Sequence, residues 1–90
     1  MANYLLCYDI SDPRRLQRVH RYVVKHALFV QLSVYYFQGN RQALNRLLSG
    51  LSCIIEEKED DVRVYRVRNL LESLQIGRSW LPEGIGFAPD

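Results

Sequence analysis

The chain has 90 residues, a formal net charge of +2 and a hydrophobic content of 48%. This composition excludes an intrinsically disordered chain, which would be poor in apolar residues and strongly charged. It also excludes a membrane span, because no run of apolar residues approaches the roughly 20 that a span needs. The length allows one small domain with a limited core, and such domains often rely on disulfides, metals or oligomerisation.

The cysteines do not predict a disulfide framework. Cys7 and Cys53 form no CxxC motif and lie near no pair of histidines, so we interpret both as small buried side chains of a protein in the reducing cytoplasm. Asp9 and Asp12 occupy the positions where the apolar core of a signal peptide would run, so we expect no such peptide. Oligomerisation is then the expected way to stabilise so small a core.

The first predicted elements are a strand and an amphipathic helix. The apolar run Tyr4–Tyr8, which is followed by Asp9, is typical of a strand buried on both faces. Asp12-Pro13 then begins a helix, because Asp caps free amide groups and Pro suits the first helical position. We expect this helix to end at about His26. The apolar residues of its buried face are Leu16, Val19, Val23 and Ala27.

The opposite face of this helix carries what we call the basic stripe. Its members are Arg14, Arg18, Arg21 and Lys25. Such a row is commonly an ordinary solvated face, but no acid offsets it here, and arginine is the better bidentate ligand for phosphate. The distribution of charge, rather than its small total, therefore suggests phosphate contacts. We interpret His20 and His26 as packing or solvated residues rather than as bases.

The segment Leu28–Phe37 is predicted to be extended and to form two strands. It is long for a single strand, and Gln31 and Ser33 interrupt its apolar pattern, so we expect a kink or hairpin there. Apolar and aromatic side chains of Ser33–Phe37 alternate onto both faces. Because one layer of helices covers only one face of a sheet, we expect a second subunit to cover the other.

A second amphipathic helix is predicted from Arg41. Its apolar residues are Leu44, Leu47, Leu48, Leu51 and Ile55. Gly50 lies inside this pattern at a cost of about 1 kcal/mol relative to Ala. The alternative is a break at Gly50 with a strand at Ser52–Ile55, but the continuous spacing favours one helix. The acidic run Glu56–Asp61 is expected to be its solvated end, with metal capture as the minor alternative. That end could fray, because the helix dipole favours cations at a C-terminus.

The last predicted strand is Val62–Val67. The order strand, helix, two strands, helix, strand predicts an α+β, ferredoxin-like βαββαβ fold, in which two helices cover one face of a four-stranded antiparallel sheet. We expect this domain to span residues 1–76. Residues 77–90 are expected to form a C-terminal arm or strand that packs on the dimer through its apolar side chains. This fold hosts many functions and does not by itself decide between them.

Asp9 is the candidate catalytic and metal-binding residue, because it stands at the carboxyl end of the first strand while Asp12 fills the capping role. One carboxylate is a poor site for Mg²⁺, which is usually held by one or two carboxylates together with waters and phosphates. In a two-fold dimer, one Asp9 from each chain could meet across the axis. The sequence contains neither a supported Ser-His-Asp or Cys-His arrangement nor a Gly-rich phosphate loop.

Three segments in this order resemble one known family. Tyr8-Asp9-Ile10-Ser11-Asp12 with the arginine-rich helix after it, Val30-Gln31-Leu32-Ser33-Val34-Tyr35, and Asp61-Val62-Arg63-Val64-Tyr65 resemble the small CRISPR-associated protein that partners the integrase during spacer acquisition. Tyr35 stands where that family usually has Phe, and Ala27 stands where it commonly has Gly. The resemblance covers about residues 4–67.

The resemblance implies a homodimer that bridges integrase dimers and supports duplex DNA, with RNA as another substrate class. It implies that Mg²⁺ is held by Asp9, and it places the basic stripe and Arg15 on the nucleic acid. Residues assigned structural or interface roles are Tyr8, Gln31, Ser33, Tyr35 and Phe37. Members are described as Mg²⁺-dependent endoribonucleases or as acting on double-stranded DNA, so enzymatic activity is left open. The alternative is a non-catalytic single-strand RNA-binding module of the same topology.

Overall fold

A computed structural model describes residues 2–72 of the chain. Its elements are β1 (Ala2–Asp9), α1 (Pro13–Val23), β2 (Leu28–Gln31), β3 (Val34–Gly39), α2 (Arg41–Ser52) and β4 (Asp61–Val67). The strands form one antiparallel sheet in the order β2-β3-β1-β4. The predicted ferredoxin-like βαββαβ fold is confirmed, whereas the proposed boundary at residue 76 and the arm of residues 77–90 lie outside the described residues.

Strand β1 lies in the middle of the sheet, hydrogen-bonded to β3 on one side and to β4 on the other. Each residue of Tyr4–Tyr8 is buried, with no more than 6% of its surface exposed. Alternate residues point to opposite faces of a strand: Leu6 and Tyr8 pack in the larger core under the helices, and Leu5 and Cys7 pack on the other face. The predicted two-sided burial of this strand is confirmed.

The larger core joins the sheet to both helices. Tyr35 and Phe37 of β3 lie in it, whereas Val34 and Tyr36 face the other side, as the alternation of residues 33–37 predicts. On that other side a smaller cluster contains Leu5, Cys7, Val34 and Val67, with Val30, Tyr36 and Tyr65 partly buried around it. The sheet is therefore apolar on both faces.

Helix α1 begins as predicted but ends early. The Asp12 side chain accepts a hydrogen bond from the Arg15 amide, and Pro13 occupies the first turn. After Val23 the chain tightens, because the amides of Lys25 and His26 each bond to a carbonyl three residues earlier, as in a 3₁₀ turn. The expected end at His26 is thus wrong by one turn. No helix within residues 2–72 is long and apolar enough to cross a membrane.

The β2–β3 connection is a tight hairpin turn. Ser33 has φ of 63°, in the left-handed region that residues other than glycine seldom adopt. Its carbonyl accepts a hydrogen bond from the Tyr8 amide at 3.0 Å, which ties the turn to β1. The predicted interruption of Leu28–Phe37 is confirmed, and β2 is left as an edge strand on which Leu28 and Phe29 are exposed.

Helix α2 is continuous across Gly50, so the alternative break with a strand at Ser52–Ile55 is wrong. An ideal Cβ on Gly50 would lie 2.0 Å from the hydroxyl oxygen of Tyr22, and that hydroxyl donates to the carbonyl of Leu47 at 3.0 Å. Glycine therefore lets α1 approach α2. The helix ends at Ser52, so Ile55 lies beyond it, and Cys53 at its end is exposed rather than buried as predicted.

Candidate functional site

Asp9 is exposed at the carboxyl end of β1. In the sheet register it stands opposite Asp61, the first residue of β4. Asp61 accepts from Arg63 at 2.9 Å, whereas the Asp9 carboxylate makes no ion pair or hydrogen bond with any of residues 2–72. Like charges directly opposite on neighbouring strands repel each other. A cation at this end of the sheet would relieve that repulsion.

The carboxylates near Asp9 could hold a metal only if waters or phosphates supplied its other ligands. Within residues 2–72 there is no group of three or more His, Cys, Asp or Glu side chains that could hold one. Mg²⁺ keeps several waters and is commonly bound by one or two carboxylates together with substrate phosphates. Asp9, with Asp61 opposite, fits that open arrangement rather than a closed protein cage.

The basic stripe is exposed along its whole length. Arg14, Arg18 and Arg21 lie on α1, and Lys25 lies in the turn that follows it. In the described part of the chain no ion pair involves any of these four side chains. The sequence of α1 contains no acidic residue, so this surface can accept a polyanion without first breaking internal ion pairs.

Arg15 differs from its neighbours because it points at the loop before β4. Its Nε lies 2.6 Å and its Nη2 3.0 Å from the two carboxylate oxygens of Asp60, and Nη2 also donates to Glu59 at 3.1 Å. The Asp60 side chain is fully buried and also accepts from the amides of Ser11 and Glu56. Arg15 is therefore satisfied within the chain.

These contacts favour the charged form of both partners. The Arg15 guanidinium, more than the two amides, holds the pKa of Asp60 well below its usual range. The Asp60 carboxylate in turn raises the pKa of Arg15. The expectation of a solvated acidic run is confirmed for Glu56, Glu57, Glu59 and Asp61, which are exposed. It is wrong for Asp60, which is held by Arg15 and by the Ser11 amide and so fixes this segment to the loop that follows Asp9.

The residues assigned to the hairpin and the interface are placed mainly in the interior of the single chain. Tyr8 stacks on Tyr35 with ring centroids 5.9 Å apart, and Phe37 packs near Tyr4. Gln31 is buried in β2. Three of these residues lie on the helix-covered face of the sheet: Tyr8, Tyr35 and Phe37. Within one chain they are therefore core residues.

Tyr35 links this core to the surface of α1. Its hydroxyl is hydrogen-bonded to Nδ1 of His20, so His20 is solvated and also anchored. Burial, and then the neighbouring Tyr35 hydroxyl, raises the pKa of Tyr8. A single-strand RNA-binding module needs exposed aromatic side chains on its third strand. Tyr35 and Phe37 of β3 are buried under the helices, so they offer no such platform. Tyr36 lies on the face without helices but is partly buried there, with its hydroxyl donating to Asn3.

Sequence reasoning missed Ser11 and Asp60. Asp60 lies 45 residues from Arg15 and 49 from Ser11. No periodicity connects these positions. The available signals were an arginine outside the basic stripe and a run of acidic residues after α2, and neither is distinctive before the fold is known.

Residues 1–70 match the model of a family described as CRISPR associated protein Cas2. CRISPR-associated endoribonuclease Cas2 1 of Nitrosomonas europaea is 45% identical over 88 residues, which is 98% of this chain and 84% of that protein. CRISPR-associated endoribonuclease Cas2 2 of Thermodesulfovibrio yellowstonii is 36% identical over 84 residues, 91% of each chain. The crystal structure of Streptococcus pyogenes Cas2 matches with a TM-score of 0.69 and 27% identity, over 78% of this chain and 90% of that chain.

Proposed function

Because the chain belongs to the family of CRISPR-associated Cas2 proteins, we propose that it is a homodimeric subunit that bridges integrase dimers and binds duplex DNA during spacer acquisition. The observation that carries this proposal is the basic stripe, which is exposed and free of ion pairs within residues 2–72. The relatives' names as endoribonucleases support a possible nuclease activity in addition, and we place that activity at Asp9.

Duplex binding follows from the length and charge of the stripe. Arg14 and Arg21 are seven positions apart, so they are separated by about 10 Å along a helix that rises 1.5 Å per residue. A duplex carries one negative charge per about 1.7 Å of its axis when both strands are counted, so this length spans about six phosphate charges, about three of them on each strand. Arginine suits them because its planar guanidinium binds phosphate in two-pronged fashion.

The dimer would place two such stripes on one particle. The sheet face away from the helices is apolar, with Leu5, Cys7 and Val34 at its centre and Tyr36 and Tyr65 partly buried at its margin. Packing this face against its equivalent in a second copy would bury the aromatic margin. The resulting particle has the two-fold symmetry that bridging two identical partners requires.

Asp9 is the residue that would hold Mg²⁺, together with the equivalent carboxylate of the second copy. When bound, Mg²⁺ neutralises phosphate charge and lowers the pKa of a bound water. The chain's own contribution is to present Asp9 at a strand end, to bind the flanking phosphates with Arg14 and Arg18, and to fix the loop between them through Asp60. Binding and orienting the nucleic acid in this way requires no side chain beyond these.

The test of duplex binding is the salt dependence of affinity. The double variant Arg14→Glu with Arg18→Glu should bind duplex DNA more weakly. The magnitude of the slope of log K against log salt should fall by about 2 for each stripe that contacts the duplex, since each phosphate contact contributes about 0.9. The matched control is Arg41→Glu with Arg46→Glu, which makes the same charge change at exposed positions of α2. An unchanged slope in the stripe variant would contradict the proposal.

The test of the metal site uses Asp9→Ala. This variant should lose Mg²⁺-dependent cleavage but keep its dimeric mass in light scattering and its affinity for duplex DNA. Glu57→Gln, at an exposed position of the loop before β4, serves as the control for general loss of negative charge. Undiminished cleavage by Asp9→Ala would exclude the metal site, and a monomer at micromolar concentration would exclude the dimer.

A further inference from the structure

A hollow of about 290 Å³ lies between α2 and β4, and no residue of the basic stripe lines it. Arg41, Asn45 and Leu48 form its α2 wall, because residues three or four positions apart share one side of a helix. Strand β4 is at the edge of the sheet. The volume is just below the roughly 300–1,000 Å³ of sites for drug-sized ligands, so the hollow suits a smaller molecule.

Two arginines give the hollow its charge. Arg41 is the first residue of α2 and Arg66 lies on β4, and both are exposed. Neither forms an ion pair with any of residues 2–72, and no residue that lines the hollow is acidic. A ligand with two negative charges could therefore pair with both guanidinium groups without displacing an internal partner.

A buried hydroxyl points to a ligand independently of these charges. Tyr4 stands opposite Arg66 in the sheet register, and only 6% of its surface is exposed. Tyr4 lines the hollow, yet its hydroxyl makes no hydrogen bond with any of residues 2–72. Buried polar groups are nearly always hydrogen-bonded, so an exception needs an explanation. An oxygen atom of a ligand in the hollow would supply the missing acceptor.

The rest of the lining is one amide and apolar surface. The exposed Asn45 amide can donate to the same ligand oxygens. Leu48 and Val64 are half-buried and give the hollow an apolar side. The whole lining therefore matches an anionic group with several acceptor oxygens that is joined to a short apolar body.

The pair of arginines favours one class of anion. A phosphate monoester carries a charge of about −1.5 to −2 at pH 7 and three acceptor oxygens, and arginine binds phosphate in two-pronged fashion. A carboxylate or a phosphodiester carries one charge and would leave one guanidinium unpaired. A phosphodiester of a duplex also continues as sugar on both sides, which hinders its approach to a hydroxyl as buried as that of Tyr4.

We propose that this hollow binds a small phosphate monoester. Arg41 and Arg66 hold its doubly charged group, and the Tyr4 hydroxyl donates to one of its oxygens. Its organic body lies against Leu48 and Val64. This site goes beyond the proposed binding of duplex DNA and does not depend on it, because the basic stripe takes no part in it.

The experiment measures the affinity of the full chain for three probes by isothermal titration calorimetry at pH 8. Phenyl phosphate is a monoester, methyl phenyl phosphate is the matched diester with a single charge, and inorganic phosphate lacks the organic body. Loss of one charge-assisted contact corresponds to about tenfold in affinity, so phenyl phosphate should bind about tenfold more tightly than the diester. It should also bind more tightly than inorganic phosphate.

Three variants and one control locate the binding. Arg41→Gln and Arg66→Gln should each weaken the binding of phenyl phosphate about tenfold. Tyr4→Phe keeps the ring and removes only the hydroxyl, so it should weaken binding by a similar factor without lowering the thermal midpoint. Arg46→Gln, at an exposed position of α2 outside the hollow, should leave the affinity unchanged.

The outcomes separate this site from the proposed function. No measurable binding of phenyl phosphate, equal affinity for the diester, or an affinity that survives all three variants would overturn the site. Release of bound duplex DNA by phenyl phosphate at constant ionic strength would also overturn it, because the hollow would then be part of the DNA-binding surface. Binding of phenyl phosphate that depends on Arg41, in a chain that binds no duplex DNA, would support the site and overturn the proposed function.

Discussion

Arg15 and Asp60 form a two-pronged ion pair across 45 residues of sequence, with Nε and Nη2 of the arginine 2.6 and 3.0 Å from the two carboxylate oxygens. The same carboxylate accepts from the amides of Ser11 and Glu56. Because Ser11 lies two residues after Asp9, this pair joins the loop before β4 to the loop that follows Asp9. It therefore fixes the segment that separates the carboxylate from the basic stripe.

Replacing Asp60 should destabilise the fold. Asp60→Asn keeps the size of the side chain but removes the charge that Arg15 needs and turns one acceptor into a donor. Hydrogen bonds to charged groups contribute about 1.5–3 kcal/mol each, so we expect the free energy of unfolding to fall by about 2 kcal/mol in urea denaturation. Asp61→Asn, at an exposed position, should change it by less than about 0.5 kcal/mol. Equal losses in the two variants would contradict a special role for Asp60.

The same carboxylate should give the fold an acid-sensitive component of stability. The pKa of Asp60 is lowered in the folded chain, chiefly by Arg15, and is about 3.9 in an unfolded one. A depressed folded pKa stabilises the fold above the unfolded pKa, and that stabilisation is lost as the pH falls from about 4 toward the folded value. Urea midpoints should therefore converge for the unaltered chain and Asp60→Asn below pH 4. A constant difference between them down to pH 2 would contradict this linkage.

Gly50 should resist substitution although it lies inside a helix. Gly50→Ala would gain about 1 kcal/mol of helix propensity, but its Cβ would lie 2.0 Å from the Tyr22 hydroxyl oxygen. Overpacking commonly costs about 1–3 kcal/mol, so we expect a net loss of stability in thermal or urea unfolding.

A double-mutant cycle tests this explanation. In a Tyr22→Ala background, the clash is absent, and Gly50→Ala should become neutral or stabilising. The control is Ser49→Ala, at an exposed position of α2. Gly39→Ala cannot serve, because a Cβ at Gly39 would also have close neighbours. A loss of the same size in both backgrounds would mean that Tyr22 does not explain the glycine.

Local patterns were sufficient to predict the elements of this fold. Asp12-Pro13 marks the start of α1, the interruption at Ser33 marks the hairpin, and the apolar spacing across Gly50 marks α2 as one helix. Each of these depends on neighbours within a few residues. Asp9 could be singled out in the same way, because it ends an apolar run and is not needed as a cap.

Long-range relationships could not be predicted from the sequence. The inward position of Asp60 depends on a loop meeting α1, and the need for Gly50 depends on where Tyr22 lies in the adjacent helix. Cys53 was expected to be buried, yet it occupies the exposed end of α2, because the helix ends at Ser52. These features are consequences of how the elements pack against one another. The spacing of residues along the chain does not reveal that packing.

The two cysteines should react differently with a thiol reagent. Cys7 has no exposed surface, and burial raises its pKa to about 11, whereas Cys53 is exposed. Because the thiolate is the reactive form, a colorimetric disulfide reagent at pH 8 should modify one thiol per chain in the folded protein and two in denaturant. Cys53→Ser should remove the fast reaction. Rapid modification of Cys7 in folded Cys53→Ser would show that the centre of the sheet opens readily.

Two adjacent arginines should affect different measurements, although their side chains are chemically the same. Arg14 is exposed and has no ion pair within residues 2–72, so Arg14→Gln should reduce the salt slope of duplex binding by about 0.9 and leave the thermal midpoint unchanged. Arg15 is held by Asp60 and Glu59, so Arg15→Gln should lower the thermal midpoint and leave the slope unchanged. A lower slope in Arg15→Gln would show that this guanidinium leaves Asp60 to contact phosphate. Position on the same turn of α1 therefore does not decide which arginine binds DNA, because the decisive difference is whether a carboxylate already holds the side chain.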